Sequence, residues 1–224
     1  LNDIAEANLF YFLPVSYYLS NFATRNNSNL QAIFNRCRDL LSKIFMQKEK
    51  DVAIVGSGLV GSLLAIFLRK QGHKVTVFDR RPDVRKVQFS GRSINLAMSN
   101  RGWKALREAG IESEIRNLAL PLDKRAMHVE GQDVYFQKYG DEGEAIYSIS
   151  RGVLNRKMID LAENAGAEFR FEEKIWDVDM QEARLYTGES EKSVWKEYKF
   201  DLIFGADGAF SRVRHKMQRQ SRFN

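Results

Sequence analysis

A short apolar strand that runs straight into three spaced glycines and then an amphipathic helix leaves a chain few folds to choose from. Asp51-Val52-Ala53-Ile54-Val55 is apolar and rich in β-branched residues, the pattern of a strand buried on both faces. Gly56-Ser57-Gly58-Leu59-Val60-Gly61 follows at once. Val60, Leu63, Leu64, Phe67 and Leu68 then recur at i, i+3, i+4, i+7 and i+8, which predicts that they form the inward face of a helix. Gly72 ends that helix, and Lys74-Val75-Thr76-Val77-Phe78 reads as a second strand closing at Asp79. Two strands joined through a helix pair in parallel, so the fold class is α/β and Rossmann-like.

Each part of this unit has a physical role in holding a dinucleotide. Gly56 permits the tight turn, Gly58 lets backbone approach a pyrophosphate, and Gly61 lets helix and strand pack closely. The helix start offers N–H groups and a partial positive charge to phosphates. Asp79 stands where a carboxylate can accept from ribose hydroxyls. Such a glycine triplet also occurs in purely structural turns. The strand before it, the helix after it and the acid closing the second strand favour a dinucleotide site.

Composition narrows the partners. A chain of 224 residues holds one large domain or two small ones, and its 44% hydrophobic and 29% charged content is ordinary for a soluble globular protein. The net charge of +6 suits an anionic ligand, but basic residues are interleaved with acids, so no nucleic-acid partner is expected. Cys37 is the sole cysteine, which rules out internal disulfides and cysteine zinc clusters and points to a reducing, cytoplasmic compartment. His73, His128 and His215 lack metal-ligand spacing, so no metal site is expected. No basic region precedes an apolar core at the start, so no secretory signal is expected. The first residue is Leu rather than Met, as in a fragment, a processed form or an unusual start.

Residues 1–45 differ from the rest. An aromatic-rich run broken by Pro14 is too short and polar to span a membrane. Leu30, Ile33, Phe34, Cys37, Leu40, Leu41, Ile44 and Phe45 then line one helical face. This helical extension suits an ordinary packed pair better than a membrane-surface helix, so peripheral membrane contact stays open but not favoured. Met46 looks like the start of an independent protein, which makes 46–224 the domain proper.

Beyond Asp79 the chain is loop-like through Phe89, and Ser99 or Asn100 can cap a helix carrying Trp103, Leu106 and Ile111. Leu122 to Val129 and Asp133 to Phe136 alternate around Gly131 as a hairpin, and Ala145 to Ser150 is a strand. A helix over Asn155 to Ala165 turns Leu154, Met158, Leu161 and Ala162 inward, and Gly166 ends it. Glu168 to Phe171, Ile175 to Val178, Ala183 to Thr187 and Val194 to Tyr198 suggest a small inserted antiparallel sheet. Asp201 to Phe204 is again a buried strand.

Gly205-Ala206-Asp207-Gly208-Ala209-Phe210-Ser211-Arg212-Val213-Arg214 resembles the Asp-Gly motif of the FAD-dependent aromatic hydroxylases. Taken by itself this run equally suits a tight turn capping a helix. Gly91-Arg92-Ser93-Ile94-Asn95-Leu96-Ala97-Met98-Ser99 is similar to the signature of the kynurenine 3-monooxygenases within that family. The likeness extends through 46–224, and nothing in 1–45 shares it.

The resemblance implies an FAD-binding fold of the aromatic hydroxylase type with FAD and NADPH as cofactors. NADPH would reduce the FAD, and reduced flavin with O2 would give a C4a-hydroperoxide that converts L-kynurenine to 3-hydroxy-L-kynurenine. That reaction belongs to tryptophan degradation toward quinolinate and NAD. By the same likeness, Val60, Asp79, Arg80 and Arg81 flank the ADP moiety, Ile175 lies beside the adenine, and Asp207 and Gly208 touch the cofactors. Ala97, Arg151 and Asn155 contact the flavin. Arg125 binds the substrate carboxylate, with Tyr139 beside the substrate. In kind the residue types agree: a guanidinium forks onto a carboxylate, and a tyrosine offers an aromatic wall. Arg125 next to Lys124, and Tyr139 in a polar loop, equally suit solvated surface positions. Family members continue well past this point, so the likeness also implies a truncated fold, an incomplete flavin pocket and no activity from these residues alone. Another FAD hydroxylase or oxidoreductase, a nicotinamide dehydrogenase or a non-catalytic flavin-binding or interaction fragment remain alternatives.

Overall fold

In the computed structural model, residues 49–87, 94–141, 145–188, 190 and 196–219 are described. The expectations for 1–45 and for Gly91 to Ser93 lie outside those residues. The described chain falls into two compact units, one made of residues up to Lys86 together with those from Ala162 onward, the other Val87–Leu161.

The first unit is built on a four-stranded parallel sheet. β1 (Asp51–Val55) leads through the glycine turn into α1 (Leu59–Lys70) and back through β2 (Lys74–Phe78). β8 (Glu168–Arg170) and β12 (Leu202–Gly205) complete the sheet in the order β12-β1-β2-β8. Val52 pairs with Leu202 on one side and Val75 on the other, which makes β1 a central strand; four of its five residues are buried. Its unbroken apolar run is what a strand covered on both faces needs.

The helix face differs from the one expected. Gly61, Ser62, Ala65, Ile66 and Leu68 are the buried residues of α1, while Val60, Leu63, Leu64 and Phe67 are half-buried. The helix is apolar nearly all round, so periodicity alone does not fix its rotation. Small residues win the inward position because a Cβ at Gly61 would stand 1.9 Å from the Gly56 carbonyl oxygen, and only a small-residue face can approach the turn that closely.

A second correction concerns β8. The sequence reading grouped it with the antiparallel strands, yet Thr76, Val77 and Phe78 pair with Glu168, Phe169 and Arg170 in parallel. A strand that follows a long helix returns to a parallel register. The inserted antiparallel sheet is therefore three strands, β9 (Ile175–Asp179), β10 (Arg184–Thr187) and β11 (Lys196–Lys199), in the order β11-β10-β9. Between the two sheets lies one apolar core. Phe78, Ala53 and Ile203 meet Ile175, Val178, Met180 and Leu185, with Val213 and Met217 of α5 (Arg212–Gln218) closing it. Tyr198 adds a tilted and Phe200 an edge-on aromatic contact to Phe78, at 5.2 and 5.9 Å between ring centroids.

The second unit holds β3 (Asn95–Met98), α2 (Asn100–Glu108), α3 (Glu112–Arg116), the short β4 (Leu120–Leu122), and the hairpin of β5 (Lys124–Met127) and β6 (Tyr135–Lys138). β7 (Ile146–Ser150) pairs antiparallel with both β3 and β4. The expected strand from Leu122 to Val129 is thus two strands in different sheets, broken at Asp123, whose carbonyl accepts from the Tyr139 N–H. α2 carries Trp103 and Leu106 inward as expected, with Ser99 at the N-cap position but without a side-chain capping hydrogen bond, and Ile111 is buried just beyond it. α4 (Arg151–Asn164) starts four residues before the expected Asn155, with Ile159 rather than Leu161 among its fully buried residues.

Candidate functional site

The glycine turn joins the C-terminal ends of three strands. Gly56, at φ +110°, donates its N–H to the Phe78 carbonyl at 2.7 Å, and Ala206 donates to the Val55 carbonyl at the same distance. A Cβ on Gly56 would lie 2.4 Å from the Ala206 carbonyl oxygen, so a glycine is required for the two motifs to meet. The first turn of α1 has no side-chain cap and no acidic residue, and a Cβ built on Gly58 meets nothing within 4 Å. Open space above a glycine at a helix start whose N–H groups carry no cap is the arrangement a pyrophosphate requires.

Asp79 follows β2 and is only 6% exposed. Its Oδ2 accepts from the Ser57 N–H at 2.9 Å, the Ser57 hydroxyl at 2.6 Å and Nη2 of Arg81 at 2.9 Å. Oδ1 accepts from the Arg81 N–H at 2.9 Å and from its Nε at 3.1 Å. Burial by itself would raise the Asp79 carboxyl. The hydrogen bonds from Arg81 and Ser57 outweigh it and hold the group down at about 2. The carboxylate is therefore ionised and already engaged by the protein. Arg80 is exposed beside it, and the Arg81 side chain is 52% exposed.

Asp207 ends the β12 turn. Its Oδ2 accepts from the N–H groups of Arg212 at 2.7 Å and Val213 at 3.4 Å, and Ser211 Oγ accepts from the Arg214 N–H at 2.9 Å, so both cap α5. Gly208 stands at φ +77°. Arg214 donates to the carbonyls of Gly208 and Ala209 at 3.2 and 2.5 Å, so its fork fastens the turn. Asp207 Oδ1 is buried without a hydrogen-bond partner among the described residues, and a buried acceptor of that kind suits an incoming donor. Ile175 is buried in the core with Phe78 and Leu185, so its side chain is occupied by packing. Gly56, Gly58, Val60, Gly61, Asp79, Arg80, Arg81, Ile175, Asp207 and Gly208 thus all belong to the first unit.

The remaining candidates belong to the second unit. Ala97 is exposed on β3 opposite Ser148. Arg151 opens α4 and donates its N–H to the Ile94 carbonyl at 2.9 Å, while Asn155 one turn on has a buried Oδ1 without a partner among the described residues. Arg125 and Tyr139 share the hairpin region. Arg125 forks through Nε and Nη2 onto Oε1 of its cross-strand neighbour Gln137, at 3.0 and 2.6 Å. A carboxylate is a stronger acceptor for the same fork than a neutral amide. Tyr139 is 40% exposed. Ser57 escaped the sequence reading because its partner lies 22 residues away; a hydroxyl inside the glycine turn, followed by an acid at the end of the next strand, was its one signal.

A parallel sheet with a glycine turn, an acid beyond the second strand and an Asp-Gly turn at the neighbouring strand end defines a flavin-type dinucleotide-binding domain. Residues 49–223 match the FAD binding domain family, and the chain belongs to it. It is 94% identical over 179 residues to a kynurenine 3-monooxygenase of Christiangramia forsetii, a match that covers 80% of this chain and 40% of that protein. A kynurenine 3-monooxygenase of Flavobacterium johnsoniae is 66% identical over the same shares. The chain thus spans about 40% of the length of the curated relatives it matches. Among solved structures, p-nitrophenol 4-monooxygenase PnpA from Pseudomonas putida DLL-E4 superposes with a TM-score of 0.62 at 20% identity, covering 75% of this chain and 43% of that one. That likeness establishes the fold. Among the described residues no His, Cys, Asp and Glu cluster could hold a metal, and no helix is long and apolar enough to cross a membrane.

Proposed function

We propose that this chain forms the nucleotide-binding portion of an FAD-dependent monooxygenase that hydroxylates L-kynurenine to 3-hydroxy-L-kynurenine with NADPH and O2. The 94% identity to a kynurenine 3-monooxygenase carries the reading, and the site geometry supports it. The N–H groups at the start of α1, with Gly56, Gly58, Val60 and Gly61, receive the pyrophosphate, and Asp79 receives the adenosine ribose between Arg80 and Arg81. The Ile175 backbone borders the adenine, and Asp207 and Gly208 shape the turn against the cofactor. Ala97, Arg151 and Asn155 serve the flavin. Arg125 exchanges its amide partner for the substrate carboxylate, and Tyr139 walls the ring. The bound flavin supplies the redox and oxygen chemistry, which the protein positions and shields. The amine on the kynurenine ring already enriches it in electrons, so no residue here is assigned as a base.

In this reading the helical segment 1–45 is an extension of the 46–224 domain, and turnover requires the further length that the relatives carry. The test mixes the purified chain with FAD, NADPH and L-kynurenine. Quenching of FAD fluorescence without kynurenine-dependent NADPH oxidation is expected. Failure to bind FAD overturns the flavin reading, and robust turnover overturns the assignment of a partial site.

A further inference from the structure

Asp79 is the acceptor through which the proposed site meets a ribose, and its two oxygens differ in their donors: the Arg81 guanidinium spans both, while Ser57 serves Oδ2 alone. Oδ2 is served by Ser57, whose hydroxyl and N–H both point at it from within the glycine turn. Ser57 is 1% exposed, and its carbonyl accepts from the Ser62 hydroxyl at 3.3 Å, so it is fixed to both the turn and α1. Among the described residues Oδ1 has donors only from Arg81: the backbone N–H, set by the chain path, and Nε of a side chain that is half in solvent. An exposed guanidinium exchanges its partners at small cost, whereas a buried hydroxyl does not. A hydroxyl arriving from solvent therefore competes with the Arg81 fork and not with Ser57.

We propose that Ser57 is a positioning residue that fixes the Asp79 carboxylate by Oδ2, so that Oδ1 is the oxygen that accepts from a ribose hydroxyl, in exchange for the Arg81 guanidinium. The proposal rests on the dinucleotide reading above and deepens it. Ser57 acts through Asp79 and does not itself touch the nucleotide. Losing its hydroxyl leaves Oδ2 only the Ser57 N–H from the glycine turn beside Nη2 of Arg81, so the Arg81 fork, which spans both oxygens, draws the carboxylate to itself and turns it away from the ribose. Removing the Arg81 side chain has the opposite effect, because the competing donor disappears while the Arg81 N–H stays on Oδ1.

These two effects separate in the preference for a ribose that has hydroxyls. The experiment measures binding of ADP and of 2′,3′-dideoxy-ADP to the full 224-residue chain by calorimetry, for wild type, Ser57→Ala, Ser57→Gly and Arg81→Ala. Wild type is expected to prefer ADP. Ser57→Ala and Ser57→Gly should each lower that preference about tenfold, the scale of one hydrogen bond to a charged acceptor, while dideoxy-ADP binds as before. Arg81→Ala should raise the preference, even if lost charge near the phosphates weakens both ligands. The unchanged dideoxy affinity shows that the glycine turn is intact in the serine variants. Equal losses for the two ligands in both serine variants give Ser57 a purely structural role and overturn the proposal. A preference that falls in Arg81→Ala overturns the exchange. A wild type that binds ADP without preference overturns the proposal while sparing the dinucleotide site, and one that binds neither ligand overturns both.

Discussion

Two arches of the same design stand four residues apart after β2, and they have opposite fates. In Asp79-Arg80-Arg81 and Asp83-Val84-Arg85, the acid accepts from the backbone N–H two residues on, at 2.9 and 3.0 Å, and from the guanidinium of that same residue. Both acids are buried, and both carboxyls lie below the usual range. The difference lies in what else each arch touches. Arg85 reaches Glu163 near the end of α4 at 2.5 and 3.0 Å and lies over the Phe171 ring, 5.8 Å from its centroid, so its side chain is only 22% exposed. Arg81 has no such outer anchor among the described residues and is 52% exposed, while its acid is tied inward to Ser57 of the glycine turn. One arch staples a loop to a helix. The other connects the glycine turn to a half-exposed cation, the difference that the proposed ribose site requires between two arches with the same Asp-x-Arg spacing.

The largest effect expected comes from moving the support of the first arch. Gly61→Ala drives a methyl into the Gly56 carbonyl oxygen, backbone against backbone, and should cost roughly 3 kcal/mol in urea unfolding with loss of FAD binding. If α1 shifts to accommodate it with FAD affinity intact, the glycine turn is not the anchor of the Asp79 arch. Next in size is the pair Asp79→Asn and Asp83→Asn. Each takes the charge from a buried, guanidinium-paired carboxyl and should lose about 2 kcal/mol of stability. Only Asp79→Asn should also weaken ADP, by about tenfold or more. Equal affinities in the two variants would erase the distinction between the arches.

That distinction was only half legible in the sequence. Local signals were sufficient for β1, the glycine turn and β2, because a buried parallel strand and a positive-φ glycine write themselves into consecutive residues. They were also sufficient to mark Asp79 as an acid at a strand end. They did not show the rotation of α1, because a helix apolar on most sides has no unique inward face until Gly61 meets the Gly56 carbonyl. β8 was misplaced because its partner β2 lies some ninety residues earlier, and a three-residue strand carries no pattern that names a parallel neighbour. Ser57 and Arg85 were missed for a related reason: their partners, Asp79 and Glu163, are chosen by packing and not by spacing. Arg125 was legible as a guanidinium suited to a carboxylate, but its place opposite Gln137 depends on a hairpin register that only the fold supplies.

A smaller effect is expected from acid. The Asp79 carboxyl at about 2 lies below its ordinary 3.8, so its contribution is complete above roughly pH 4 and is lost as pH falls through about 2. Wild type should therefore lose about 2 kcal/mol more than Asp79→Asn between pH 5 and 2, read from urea midpoints. Asp83→Asn should remove less of that slope, because among the described residues the Asp83 carboxylate takes its donors from Arg85 alone, whereas Asp79 adds the Ser57 hydroxyl and N–H. The smallest effect separates the cations themselves. Arg81→Ala breaks a half-exposed fork whose acid keeps both Ser57 donors, so its cost at neutral pH should stay under about 1 kcal/mol. Arg85→Ala strips Asp83 of its guanidinium and frees Glu163, and should cost about 1 kcal/mol more than Arg81→Ala. The ranking matters more than either value: an Arg81 variant as costly as the Arg85 one would make the first arch a staple too, and an arginine needed to hold the fold cannot be the one a ribose hydroxyl displaces.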